Sequence, residues 1–362
     1  MMPTVRRYAT RLLLVHLALI LVGFVALLQL LDLLNNGDEI VAEHGGRSSA
    51  LWTYALLRLP SIVSVILPFS ILMAALVTLA RLARNNEILA LKASGVSFYR
   101  LLFGLVPVAL LVGCLHFLLN DQVLPPASQK LERWGAADAA STDRTVRSGQ
   151  GGVWVRDGST FIRVSSVLGE GSALLGVTLF RRNENGVLSE QIVARHAAYV
   201  DGSWRLADVS LIRLANDSNS SMIQVAEMPW ETSLTPSHFA DLATDPATLS
   251  FVDLWRFIVN PEVGSQPYSF YQTWFQRKFA VPLTAVLMIL LAAPVAQGLQ
   301  RHGGFAAGLA VGVGLGFLYF VTEGLMLTLG ETGAVAPIIA AWGPAIVFAM
   351  FGTVALLRIE GY

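Results

Sequence analysis

A single cysteine, Cys114, occurs in the 362 residues, and it sits inside an apolar run. A disulfide framework and a thiolate metal site are therefore both excluded. The six histidines are scattered with no two at ligand spacing, so nothing signals an imidazole metal centre. Charge is scarce as well: Asp, Glu, Lys and Arg make up 14% of the chain, where soluble proteins have about a quarter. Basic and acidic residues balance to a formal net charge of +0, which removes the electrostatic case for nucleic acid. No GxxxxGKS or GxxxxGKT occurs, so no nucleotide is bound through a P-loop; no zinc signature, nucleophile elbow or carboxylate pair stands out either. What is abundant is apolar: 54% of the residues are hydrophobic, gathered in long runs. This is the composition of a membrane protein.

The first run, from Leu12 to about Leu34, follows Arg6, Arg7 and Arg11. It is too long for a signal-peptide core and lacks a small-residue cleavage site, so it reads as an uncleaved span with a cytoplasmic N-terminus. Residues 35–54 hold Asp38, Glu39 and Glu43 against Arg47 and read as an outer loop. A second span is predicted from about Ala55 to Ala80, where Pro60 and Pro68 are tolerable because neighbouring helices satisfy the freed backbone groups. The third is predicted from Leu101 to about Leu119, the fourth from Phe279 to Ala296, the fifth from Gly304 to Leu325 and the sixth from Val335 to Leu357. Gly308, Gly312, Gly314 and Gly316 give the fifth span small-residue faces for close helix approach.

Composition changes at Asp121. From there to about residue 248 no run can span a bilayer, and short alternating segments are punctuated by Asp157-Gly158, Asn185-Gly186 and Asp201-Gly202. Such pairs supply the positive φ of two-residue hairpins. Ile162 and Val164 alternate with Phe161 and Arg163, and the whole reads as one all-β domain of sandwich or partly open barrel type. The amphipathic segment LSFVDLWRFIV (249–259) leads back to the membrane.

Between the second and third spans lies RLARNNEILALKASGVSFYR (81–100), with Arg81, Arg84, Lys92 and Arg100 against Glu87 alone, an inside composition. Asn85 is expected as the N-cap of a helix from Asn86 to Ser94, with Gly95 as its stop. Glu87 and Leu91 share a face, and Ser94 lies one turn further on. Two readings fit: a loop helix that closes a hairpin, or a surface helix that passes force from a soluble partner into the bilayer.

Polar groups at membrane depth are the remaining candidates. Glu323, one turn after Tyr319, either lines a polar cavity or reaches outer water, and Gln29 and Asp32 near the outer end of the first span carry the same two readings. Arg277 and Lys278 open the fourth span on the outer side, where basic residues are scarce; they either meet anionic lipid phosphates or snorkel to ordinary headgroups. His16 and His116 read as packed or hydrogen-bonded within the bundle, and Trp52, Trp255 and Trp274 as an interfacial aromatic belt.

Taken in order and at their distances, NNEILALKASG, GGVWVRDGSTFIRV, LTPSHFADLATDPATLS and QRKFAVPLTAVLMILLAAPV resemble the LptF/LptG family, the permease subunits of the bacterial lipopolysaccharide exporter. The likeness covers essentially the whole chain, and the Arg301–Gly304 turn and fourth-span sequence are similar to the LptG-type subunit. The resemblance implies an α-helical membrane protein with six transmembrane helices, three on either side of an inserted periplasmic all-β jellyroll-like domain. Residues 1–120 would hold the first three spans with a cytoplasmic coupling helix near 85–95, residues 121–248 the β domain, and residues 249–362 the connector and last three spans.

It also implies a non-catalytic subunit in the bacterial inner membrane, with both termini cytoplasmic. ATP and Mg would be bound by a cytoplasmic ATPase dimer beneath a heterodimer of this chain and a sister LptF/LptG-type subunit. A periplasmic jellyroll bridge protein and a single-span regulator would complete the assembly. Carried over by position, Glu87, Leu91, Ser94 and Gly95 would couple to the ATPase. Gln29, Asp32, Tyr319 and Glu323 would line the lipid cavity or the gate between first and fifth spans. The β domain would pass lipid on from edge strand to edge strand. Several relatives carry lysines in the outer first span; here ALLQLLDLLNNGDEI has none, so either phosphate contact moves to Arg277 and Lys278, or it moves to the partner subunit, or the lipid carries less phosphate; the first is the expectation taken. An alternative is a mechanotransmission subunit that moves an external domain without transporting lipid. An intramembrane enzyme built on Glu323, Asp32 and His116 ranks last.

Overall fold

The structure is a computed structural model of the full chain. It describes residues 2–43, 49–139, 153–157, 160–168, 171–182, 188–200, 202–213, 221–236, 239, 249–259, 266–302 and 305–360. The chain divides into two compact units, residues 1–128 with 272–362, and residues 129–271.

The first unit is helical. Helices α1 (Met2–Glu43), α2 (Ser49–Arg84), α4 (Phe98–Leu118), α7 (Tyr268–His302), α8 (Phe305–Glu331) and α9 (Pro337–Glu360) carry the six predicted spans, and a seven-residue α3 (Glu87–Ala93) joins α2 to α4. Six helices are long and apolar enough to cross a membrane among the described residues. Their burial is uneven. The most apolar stretches of the second and fourth spans are 67% and 61% buried within the chain, those of the first and fifth only 11% and 17%. Small side chains let the central helices close up: Ala74, Ala75, Ala292 and Ala293 are fully covered. A side chain at Gly312 or Gly316 would run into Leu76 or Leu72 of α2, whereas Gly314 faces open space. Only part of the predicted glycine face therefore makes a helix contact.

Two boundaries differ from the sequence reading. Residues 35–43 and 49–54, expected as loop, continue α1 and α2, and the buried Ile40 packs the extension down; residues 44–48 lie outside the described set. The third span does not stop near Asp121. The backbone passes through a π-helical turn, Leu119–Val123, and runs on as α5 (Leu124–Ala139). The change of composition at Asp121 predicts a domain edge there, but its charge is paired and buried within the helical unit.

The second unit holds one antiparallel six-stranded sheet among the described residues: β1 (Val153–Asp157), β2 (Thr160–Leu168), β3 (Ala173–Arg182), β4 (Leu188–Val200), β5 (Ser203–Arg213) and β6 (Ser221–Trp230), neighbours in chain order throughout. One face is a ladder of buried apolar pairs, Val155 opposite Ile162, Ile162 opposite Leu179 and Leu179 opposite Ile192. The predicted alternation holds at Ile162 and Val164, both buried beside exposed Arg163. Val200 pairs with Ser203 and Gly202 has φ +80°, as an Asp-Gly hairpin requires. Asp157 pairs with Thr160, so that connection is also two residues long. Asn185-Gly186 instead falls within residues 183–187, a longer connection after an irregularity at Arg181 and Arg182; it lies outside the described residues, as do Gly158, Asp201, Gly303 and Gly304.

Candidate functional site

Three polar sites and one surface helix hold most of the residues singled out from the sequence; His16 lies apart, its Nδ1 2.8 Å from the Thr78 hydroxyl. The surface helix, α3, is built from both ends. At its start the second span uses up Asn85, whose N–H donates to the Arg81 carbonyl at 3.0 Å. The N-cap is therefore Asn86, in the left-handed region at φ 59°, with no side-chain cap bond. Asparagine tolerates that conformation better than most residues, and the expected Asn85 cap is displaced by one position. The side-chain amide of Asn85 donates instead to Glu87 Oε1 at 3.2 Å, and the Tyr8 hydroxyl on α1 donates to the same oxygen at 3.3 Å.

At its end Gly95 has φ +78°; its N–H donates to the Lys92 carbonyl and the Val96 N–H to the Leu91 carbonyl, both at 3.0 Å. That bond pair is a Schellman motif, the stop foreseen for Gly95. The helix is pinned by Ile88, 4% exposed, in the same buried cluster as Ala9, Leu82 and Phe98. Leu91 packs partly against that cluster, while Leu89 stands 62% exposed, with Ser94 also in the open. Ile88 is thus the residue that faces the bundle, Glu87 and Leu91 are half-buried beside it, and Leu89 is the exposed leucine.

Lys278 and Asp121 form the first polar site. Lys278 Nζ lies 3.0 Å from Asp121 Oδ1, with side chains 8% and 9% exposed. Around them the Ser64 hydroxyl donates to Asn120 Oδ1 at 2.6 Å, and the Asn120 amide to the His116 carbonyl at 2.9 Å. His116 Nε2 sits 3.0 Å from the Ser64 carbonyl, which only accepts, so Nε2 carries the proton. The π-helical turn thus joins second, third and fourth spans through a closed polar network. Lys278, expected to touch lipid phosphate, is held inside the bundle by this pair.

Arg277 belongs to a different site. Its Nε donates to Glu323 Oε1 at 3.1 Å, its guanidinium lies 5.1 Å from the centre of the Trp274 ring, and a third of the side chain is exposed. Trp274 Nε1 donates to Glu331 Oε1 at 2.9 Å, so the opening turns of α7 tie to α8 twice. Tyr319, expected at a cavity wall, is buried with its ring edge-on to Phe348 of α9 at 5.4 Å.

The third site lies between first and second spans. Arg58 Nε is 3.7 Å from Asp32 Oδ1, and the Asn36 amide donates to that same oxygen at 3.3 Å. Both amide atoms of Gln29, Asp32 Oδ2 and Arg58 Nε are buried without a hydrogen-bond partner among the described residues. Arg58 is the one charged member of this site outside the residues predicted from the sequence. A lone arginine in an apolar run was the signal for it.

Six helices long and apolar enough to cross a membrane, divided three and three by an antiparallel sheet, define a helical membrane protein with an inserted β domain. The family described as lipopolysaccharide export system permease LptF/LptG matches residues 7–358, and the chain belongs to it. It is 27% identical over 307 residues to the lipopolysaccharide export system permease protein LptG of Escherichia coli strain K12, which covers 84% of each chain. It is 26% identical over 297 residues to LptG of Haemophilus influenzae, covering 82% of this chain and 81% of that one. These relatives agree with the LptG-type reading of the sequence.

Proposed function

We propose that this chain is the LptG-type half of an ATP-driven exporter that takes lipopolysaccharide from the outer leaflet of the bacterial inner membrane. The observation that carries the mechanism is α3: a short helix between two spans, closed by a Schellman motif and pinned by Ile88, with Leu89 exposed and the half-buried Glu87 held by Asn85 and Tyr8. In this reading it docks on a cytoplasmic ATPase dimer that binds ATP and Mg, and a sister LptF/LptG-type subunit completes the pair. Both termini are then cytoplasmic and the β domain periplasmic, where it hands lipid to a jellyroll bridge protein beside a single-span regulator. The weakly covered first and fifth spans supply the lipid gate. Arg277 and Arg58, both partly exposed, are the cations offered to lipid phosphate. The chain itself is non-catalytic.

Co-expression with the ATPase and sister subunit tests the reading, comparing wild type with Glu87→Ala and Leu89→Asp. Assembly and lipopolysaccharide-stimulated ATP hydrolysis are expected for wild type and lost in at least one of them by Glu87→Ala and by Leu89→Asp. Full retention of both in both variants would return α3 to the role of a hairpin closure.

A further inference from the structure

Helix α6 (Phe251–Val259) carries more local stabilisation than nine residues of connector require. Ser250 is its N-cap: the Asp253 N–H donates to Ser250 Oγ at 3.2 Å, and the Ser250 hydroxyl donates back to Asp253 Oδ2 at 2.5 Å. Leu249 before the cap and Leu254 in the second turn are both buried, the arrangement of a hydrophobic staple. One face, Leu254 and Phe257, is turned inward, and the Phe257 ring stacks on Tyr271 at 4.8 Å. Tyr271 lies in the first turn of α7, the helix of the fourth span, and belongs to the same compact unit as α6.

The opposite face is apolar too. Val252, Trp255 and Val259 follow one another at helical spacing and are each more than half exposed, with Arg256 beside them. A helix surrounded by water presents polar residues outward. Valine, tryptophan and arginine on the exposed side of a helix stacked against the start of a membrane span are instead the composition of the lipid interface.

We infer that α6 lies along the bilayer on the β-domain side, with the Val252–Trp255–Val259 stripe seated where headgroups meet acyl chains. The lipid is the occupant because the buried face is fixed to the first turn of the membrane helix itself. Arg256 fits the same place, its stem on apolar surface and its guanidinium among phosphates. The inference rests on the chain spanning a membrane and is independent of what is exported.

The test uses the full chain in phosphatidylcholine–phosphatidylglycerol nanodiscs with Cys114→Ser. An environment-sensitive dye is placed at Val252→Cys or Val259→Cys, with Ile223→Cys on the exposed part of β6 as the reference. Quenching by lipids brominated near the headgroup is expected to exceed quenching by aqueous iodide several-fold at 252 and 259, with the reverse order at 223. Iodide-dominated quenching at 252 and 259 overturns the inference. Protection there from both quenchers, the mark of a covering protein, overturns it equally.

Discussion

The Lys278–Asp121 pair and the Arg58–Asp32 pair are both ion pairs between spans, yet they are built differently. The first is closed at 3.0 Å, buried on both sides and backed by Ser64, Asn120 and His116. The second is open at 3.7 Å, with unmatched polar atoms on Gln29, Asp32 and Arg58. The closed pair joins the well-covered second and fourth spans through the π-helical turn; the open one sits on the poorly covered first span. The Lys278–Asp121 network is satisfied and ties spans together, whereas Gln29, Asp32 and Arg58 keep polar atoms without a hydrogen-bond partner among the described residues, as does Gln297 Nε2 on the fourth span. Arg277 is intermediate, paired with Glu323 yet one-third exposed.

This contrast predicts a graded response to substitution. Lys278→Met strands a buried carboxylate and is expected to destabilise the chain by about 3–5 kcal/mol, while Lys278→Met with Asp121→Leu recovers most of the loss. Thermal unfolding of the purified chain in detergent measures both, and a double variant no more stable than the single one would break the closed-pair account. Ser64→Ala, which removes the donor to Asn120 Oδ1, is expected to cost about 1–2 kcal/mol in the same assay. Arg277→Ala should cost about 1 kcal/mol or less but lower lipopolysaccharide-stimulated ATP hydrolysis of the assembled complex. Arg58→Ala is the smallest change, within about 0.5 kcal/mol in stability, again with a weaker lipid response. A stability loss for Arg58→Ala as large as that for Lys278→Met would erase the difference between centre and edge.

The architecture was largely legible because span length and hairpin chemistry are local. Twenty-odd apolar residues need no partner to announce a span, and Gly95 and Asp201-Gly202 signal their own backbone geometry. The ion pairs were not legible. Asp121 and Lys278 are 157 positions apart, and nothing near Asp121 distinguishes a buried partner of a distant lysine from the first residue of a soluble domain. Ile88 and Leu91 are similar side chains on one short helix, and only the packing of α1, α2 and α4 decides which turns inward. Arg58 was readable as a charge in an apolar run but not as the neighbour of Asp32.

The most direct test of edge against centre is photocrosslinking in the assembled exporter with lipopolysaccharide present. A photoreactive residue is placed at Val22 on the first span, at Phe317 on the fifth, or at the buried Leu76 on the second. The account predicts lipid adducts from Val22 and Phe317 that change with ATP, and none from Leu76. Adducts from Leu76 alone, or from none of the three in a complex that still exports, would contradict it.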